Sequence, residues 1–214
     1  MPEAARDPFP ASDFDSWAES YDRDVVTYSD FPFAGYEQVL ETVIAQADAH
    51  PGMDVLDLGT GTGNLAVHFS DLGCNLWCTD FSEPMLVKAR LKLPQAHFVL
   101  HDLRASWPAE LNLRFDRIVS GYVFHHFELE KKVSLCRDLV AQRLVPSGRL
   151  VIADLSFPSQ SMLDEFKKGI DDWEEEFYWL ADESVQALGD AGLNASYEQV
   201  SYCAGVYVMA KGTS

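Results

Sequence analysis

At 214 residues the chain has room for one domain with a few additional elements around a sizeable core, and 47% hydrophobic with 23% charged residues excludes a disordered or fibrous chain. With 16 Lys and Arg against 34 Asp and Glu, the net charge of −18 repels phosphate backbones, so nucleic acid is not an expected partner. Apolar runs such as 150–153 and 206–210 fall far short of the ~20 residues that cross a bilayer, and residues 1–10 lack the apolar core of a secretory signal; a cytoplasmic protein, monomer or homodimer, that meets no membrane is expected.

After a loose tail over 1–10, residues 13–28 mix aromatics and acids at helical spacing, and Phe14, Trp17 and Tyr21 fall on one face. Residues 35–49 predict a second helix with Val39, Val43 and Ile44 as its apolar stripe, closed by Pro51-Gly52. From there strands and helices alternate, the pattern of a parallel sheet covered on both faces: strand 55–58, helix 63–72, strand 76–79, helix 83–91, strand 97–100, strand 117–120, helix 130–144, and strand 149–153 after a turn at Pro146-Ser147-Gly148. Residues 160–179 are acidic and aromatic, 182–191 form a helix ended by Gly192, and 195–202 faces 205–210 as an antiparallel pair. One domain over 1–214 is expected, with a helical lid (1–50), a ligand-binding core (51–158) and substrate-side helices with the strand pair (159–214). Cys74, Cys78, Cys136 and Cys203 are scattered without C-x-x-C spacing, so neither a metal nor a disulfide framework is expected.

Chemistry gathers where strands end. The strand Val55-Leu56-Asp57-Leu58 runs into Gly59-Thr60-Gly61-Thr62-Gly63-Asn64 and at once into a helix. This first strand-to-helix turn lies at the carboxyl edge of a parallel sheet, where such sheets bind ligands, and glycines let a ligand lie against the backbone. The dinucleotide spacing G-x-G-x-x-G would place its third glycine at Asn64, which weakens a pyrophosphate reading. Asp80 lies 21 residues beyond Gly59, close to the ~20-residue offset of a carboxylate that takes ribose hydroxyls; the rival role, a helix N-cap, is also open to Ser82. Asp102 closes the next strand, where its carboxylate can accept from an adenine amine while the Leu103 N–H donates to a ring nitrogen. Asp57, Asp80 and Asp102 together suit a cationic, hydroxylated, amine-bearing ligand better than a pyrophosphate. The fourth strand leads into Gly121-Tyr122-Val123-Phe124-His125-His126-Phe127, which offers two histidines as acceptor contacts or general base.

Taken together, V-L-D-L-G-T-G-T-G-N-L, T-D-F-S-E-P-M-L-V-K-A-R, L-H-D-L and L-V-P-S-G-R-L-V-I-A-D resemble the class I AdoMet-dependent methyltransferases, and W-A-E-S-Y-D with S-G-Y-V-F-H-H-F is most similar to the YrrT-like small bacterial group. The resemblance implies an α/β fold with a Rossmann-like, seven-stranded, mostly parallel sheet ending in an antiparallel strand, helices on both faces and an N-terminal helical lid. It implies S-adenosyl-L-methionine (AdoMet) as methyl donor, S-adenosyl-L-homocysteine (AdoHcy) as product, and a small-molecule acceptor. Gly59, Thr60, Gly61 and Gly63, with Asp57, would surround the methionyl part, Asp80 the ribose, Phe81 and Met85 the adenine faces, and Asp102 and Leu103 the adenine edge. Tyr21 would lie near the methionine carboxylate, with Trp17 closing over the cofactor. On the acceptor side stand His125 or His126 as candidate base and Tyr122, Trp173 and Tyr178, with Phe177 and Trp179 as further lid aromatics. The acidic run 171–176 reads as a solvated helix face that would also favour a cationic acceptor. An NAD-dependent oxidoreductase would share the glycine turn but would want the third glycine that Asn64 replaces, and a non-catalytic AdoMet-binding protein is the other alternative; thiolate-based metalloid methylation is disfavoured by the scattered cysteines.

Overall fold

A computed structural model of the chain describes residues 9–27, 29–170, 173 and 175–212. Three short helices, α1 (Ala11–Trp17), α2 (Tyr21–Thr27) and α3 (Tyr36–Ala47), precede β1 (Asp54–Leu58), α4 (Asn64–Asp71), β2 (Asn75–Asp80), α5 (Glu83–Lys92), β3 (His97–Leu100) and β4 (Phe115–Gly121). Then follow α6 (Leu129–Gln142), β5 (Leu144–Phe157), α7 (Gln160–Lys167), β6 (Trp179–Leu180), α8 (Ala181–Asp190), β7 (Leu193–Gln199) and β8 (Ala204–Lys211). The main sheet runs β3-β2-β1-β4-β5-β8-β7, with the two-residue β6 pairing only with the end of β5. β3 through β5 are parallel, whereas β8 and β7 join antiparallel. The seven-strand ladder and its antiparallel end are those the sequence predicts; β6 is additional.

Period-two alternation sorts the strand residues onto two faces. Leu56, Leu58, Ile118, Leu150, Ile152 and Tyr207 pack with Cys136, Leu139 and Val140 of α6 and Leu188 of α8. Val55, Val119, Val151, Ala153 and Val206 turn the other way, onto Val39, Leu40 and Val43 of α3 and Leu65, Ala66 and Phe69 of α4. The strand order reverses between β1 and β4, which opens a crevice at their carboxyl ends. No helix among the described residues is long and apolar enough to cross a membrane.

Two local expectations are corrected. Residues 13–28 do not form one helix: α1 stops at Trp17 and α2 begins at Tyr21, so Phe14 and Trp17 sit on a different helix from Tyr21, and three helices rather than two precede β1. Local side-chain hydrogen bonds accompany the interruption: Asp24 of α2 accepts from both Ser20 Oγ (2.7 Å) and Trp17 Nε1 (2.9 Å) across the break. The predicted turn at Pro146-Ser147-Gly148 lies instead within β5, as a bulge between the pairings Phe115↔Leu144 and Arg117↔Arg149. A Cβ on Gly148 would stand 2.9 Å from Leu144 Cδ2, 3.0 Å from the Val145 carbonyl and 3.1 Å from that of Asp116. The turn-forming residues therefore serve a close backbone approach without ending the strand. The four cysteines are free thiols.

Candidate active site

The turn between β1 and α4 is built by glycine where geometry demands it. Gly59 has φ +68°, and a Cβ there would lie 2.2 Å from Val123 Cγ2. Gly61, at φ +55°, faces open space in the cavity. The loop amides are largely spent within the protein: Gly59 and Thr60 donate to the Thr79 carbonyl, Gly63 to that of Thr60, and Gly61 to Asp80 Oδ2 at 2.8 Å. Such a turn is a smooth floor for a ligand rather than a cradle of free N–H groups for phosphate.

Asp80 is nearly buried and holds the turn to the next helix: Oδ2 takes the Gly61 N–H and Oδ1 the Ser82 N–H at 2.9 Å. Burial raises its pKa against the pull of those amides. The cap of α5 is Ser82, whose Oγ accepts from Met85 N and donates to Asp15 Oδ1 at 2.6 Å, tying α1 down over the site. Asp57 is buried behind the turn, and its Oδ2 has no hydrogen-bond partner among the described residues. Burial, reinforced by the charge of Asp80, pushes its carboxyl up to about 7. Asp102 is not an open acceptor as the sequence suggests, because Arg104 Nε engages both its oxygens at 3.0 and 2.9 Å and Nη2 adds a third contact at 2.8 Å. Burial works against its charge, but Arg104 outweighs that and holds the carboxyl below the usual range.

One cavity of about 820 Å³ connects these groups with the end of β4 and the segment after α7. Gly59, Gly61, Asp80, Phe81, Met85, Asp102 and Leu103 line one part of it. Phe14 of α1 covers that part, packing on Phe81 at 4.9 Å and on His126 at 5.3 Å between ring centroids. Trp17 and Tyr21 also face the cavity, stacked edge to face at 4.8 Å. Burial raises the pKa of Tyr21, and the neighbouring Tyr36 adds to that rise. Asp57, Thr60 and Gly63 are the three cofactor candidates absent from this lining; Asp57 and Thr60 touch a smaller adjoining crevice instead.

The other part is lined by Phe31, Leu155, Ile170, Trp173, Glu176 and Tyr178, with His125 at its wall. Tyr122 adopts φ +58°, unusual for a side chain of its size, and lines both the cavity and the crevice. The two histidines have opposite surroundings. His125 Nδ1 meets Asp154 Oδ1 at 2.5 Å, and its Nε2 stands 3.8 Å from Glu176 Oε2. Burial disfavours its charge, yet the two carboxylates prevail and raise its pKa. His126 lies against Phe9 and Phe14, its Nδ1 without a hydrogen-bond partner among the described residues, and burial, with the neighbouring His125, lowers it to about 2. Of the pair, His125 alone has a polarised and oriented ring.

Asp154 is the residue that sequence reasoning did not single out, although the L-V-I-A-D motif contains it. It sits on β5, fully buried, and accepts from His125, from Trp179 Nε1 at 3.0 Å and from the Leu155 N–H at 2.8 Å. The acidic run also reads differently in three dimensions. Glu176 lies outside any helix and faces the cavity, so the solvated-helix reading fails there; Asp171, Asp172 and Glu174 lie outside the described residues. Trp179 is no lid residue: it is buried in the core, stacked on Tyr207 at 4.5 Å. Phe177 does not line the cavity; its backbone N–H donates to the His125 carbonyl, and its carbonyl takes the ammonium of buried Lys132, which also lies 4.6 Å over the Trp179 ring. Burial brings Lys132 down to about 8.

The methyltransferase-domain family profile matches residues 55–148. An uncharacterized methyltransferase of Geobacillus kaustophilus (strain HTA426) is 34% identical over 199 residues, covering 87% of this chain and 89% of the relative. Another from Alkaliphilus oremlandii (strain OhILAs) is 32% identical, covering 86% and 87%. Among solved structures, the DhpI–SAH complex superposes with a TM-score of 0.73 at 20% identity over 95% of this chain and 96% of that one. The magnesium protoporphyrin IX methyltransferase of Synechocystis PCC 6803 with bound SAH does so with a TM-score of 0.72 at 20% identity, over 95% and 100%. With a glycine turn, an acid after β2 and this strand order in place, the chain belongs to the class I AdoMet-dependent methyltransferase family.

Proposed function

We propose that the chain transfers a methyl group from AdoMet to a small molecule, with donor and acceptor sharing the one cavity. The observation that carries the reading is Asp80: a nearly buried carboxylate fixed by the Gly61 and Ser82 amides, facing a cavity floored by glycine. Each of its oxygens retains acceptor capacity for the hydroxyls of a ribose. The unpartnered Asp57 oxygen behind the turn and the open face of Gly61 fit a bulky cationic group laid along the loop. In this reading Gly59, Thr60, Gly61, Gly63 and Asp57 surround the methionyl part, Tyr21 meets its carboxylate, Phe81 and Met85 flank the adenine, and Asp102, shared with Arg104, and Leu103 serve the adenine edge.

AdoMet supplies a methyl already activated by its sulfonium, so the protein's task is alignment and exclusion of water. Phe14, Trp17 and Tyr21 close one side, and Trp173 and Tyr178 the other, with Tyr122 between them. His125 takes the acceptor's proton at Nε2, while Asp154 fixes the Nδ1–H tautomer and stabilises the imidazolium that forms. His126 is too strongly held neutral to serve as base and shapes the acceptor wall.

Calorimetry with AdoHcy, AdoMet and NADH, followed by transfer of labelled methyl to a metabolite panel, tests the proposal. AdoHcy and AdoMet binding with label in a product is expected. Binding of NADH alone would restore the oxidoreductase alternative, and AdoMet binding without transfer to any acceptor would leave a non-catalytic binding protein.

A further inference from the structure

From the acceptor half of the cavity, and resting on the methyltransferase reading above, we infer that the methyl acceptor is a primary or secondary amine carried on an apolar or aromatic body. The wall chemistry points there from three directions.

The first is the distribution of charge. Among the described residues lining the cavity, the Lys and Arg side chains are represented by Arg104 alone, which is bidentate on Asp102 and lies 5.8 Å over Phe81 on the adenine side. Lys132 approaches the acceptor half from behind, but its ammonium is given to the Phe177 carbonyl and the Trp179 ring. Any positive charge that His125 acquires is matched by Asp154 at 2.5 Å. A carboxylate, phosphate or other anion entering this half would therefore meet Glu176 and, among the described residues, no uncommitted cation, a desolvated like-charge encounter. An ammonium group meets the opposite sign.

The second is the pairing of Glu176 with His125. Their facing atoms are 3.8 Å apart, so a donor group lodged beside both can give one N–H to the carboxylate while presenting another to Nε2. Glu176 then binds the cation and His125 removes its proton. The third is the surrounding surface: Trp173 and Tyr178 stand 5.1 Å apart between centroids with Phe31 stacked on Trp173 at 5.2 Å, and Leu155 and Ile170 complete an apolar wall. Aromatic faces attract an alkylammonium and its carbon skeleton together.

The transfer balances on these groups. A bound ammonium R–NH₃⁺ gives one proton to His125 Nε2, and the neutral amine's lone pair forms the new N–CH₃ bond. The S–CH₃ bond breaks with its electron pair remaining on sulfur, giving the neutral thioether and an N-methylammonium product. His125 later returns its proton to solvent.

The experiment titrates AdoHcy-loaded protein by calorimetry with phenethylamine, hydrocinnamate and phenethyl mercaptan, and with hexylamine against hexanoate. Amines are expected to bind at least about tenfold more tightly than their matched carboxylates and thiols, as a charge-assisted hydrogen bond implies, and incubation with labelled AdoMet should place the label on nitrogen. In Glu176→Gln that preference should vanish while AdoHcy affinity stays unchanged, which also certifies that the variant is folded. Carboxylates or thiols binding as well as the amines, or an amine preference that survives Glu176→Gln, would overturn the inference and leave the methyltransferase reading intact. Failure of the wild-type protein to bind AdoHcy would instead remove the reading on which the inference rests.

Discussion

Replacing Asp80 by Asn separates two roles that its position combines. In the free protein the carboxylate is nearly buried and its pKa is raised, so the folded state favours the protonated form. That contribution to stability is fully present below the ordinary carboxylate pKa and is lost as pH rises through the raised value, so at neutral pH the charge is a burden on the fold. A neutral amide of the same shape should leave the melting temperature of the ligand-free protein unchanged or higher near pH 7.5, although one of the bonds from Gly61 (2.8 Å) and Ser82 (2.9 Å) must be remade with an NH₂ group in place of an acceptor. Cofactor binding should move the other way. Hydrogen bonds to a charged acceptor contribute about 1.5–3 kcal/mol, so weakening one of them raises the AdoHcy Kd by about 10- to 150-fold. Asp80→Ala should match or exceed that loss and lower stability as well, by freeing two amides. The assay is calorimetry with AdoHcy beside thermal unfolding with and without it, since ligand-induced stabilisation follows affinity. Wild-type AdoHcy affinity in Asp80→Asn would refute the ribose assignment.

Asp57→Asn tests the buried acid behind the turn. Its carboxyl is raised to about 7, so the stabilising contribution present at low pH is lost as pH climbs from about 4 through that value; the variant should be more stable than wild type at pH 8.5, by at most on the order of 4 kcal/mol and with a higher melting temperature, the gain shrinking below pH 7 and vanishing towards pH 4. Equal melting temperatures at pH 8.5 would contradict the assignment. Asp154→Asn removes the partner that raises His125, so the acidic limb of the kcat–pH profile should shift to lower pH while the plateau falls by about 10²–10⁴-fold; an unmoved limb would mean that another group accepts the proton. Gly148→Ala should cost about 1–3 kcal/mol in urea unfolding, because its Cβ would press on Leu144, Val145 and Asp116 where the bulge brings β5 and β4 together, and a neutral result would show that the bulge can relax.

Local pattern was enough to expect the alternating strands and helices and the antiparallel end, because both rest on interactions near in sequence: apolar periodicity, a glycine turn following a β-strand, and a Ser82 cap placed ahead of Pro84. The rim on which the proposed site lies was likewise legible, since Gly59, Asp80 and Asp102 occupy strand ends that any parallel sheet aligns along one edge, and all three line the cavity. What residue order could not specify is who meets whom across that rim. Asp154 and His125 are 29 positions apart yet in hydrogen-bond contact, and Glu176 leaves an apparent helix face to reach the same imidazole. Arg104 covers Asp102, Trp179 sinks into the core, and a predicted helix breaks where Asp24 accepts from Trp17. Burial and charge partners are properties of the packed chain, and they alone make one histidine of an adjacent pair a polarised group and hold the other neutral.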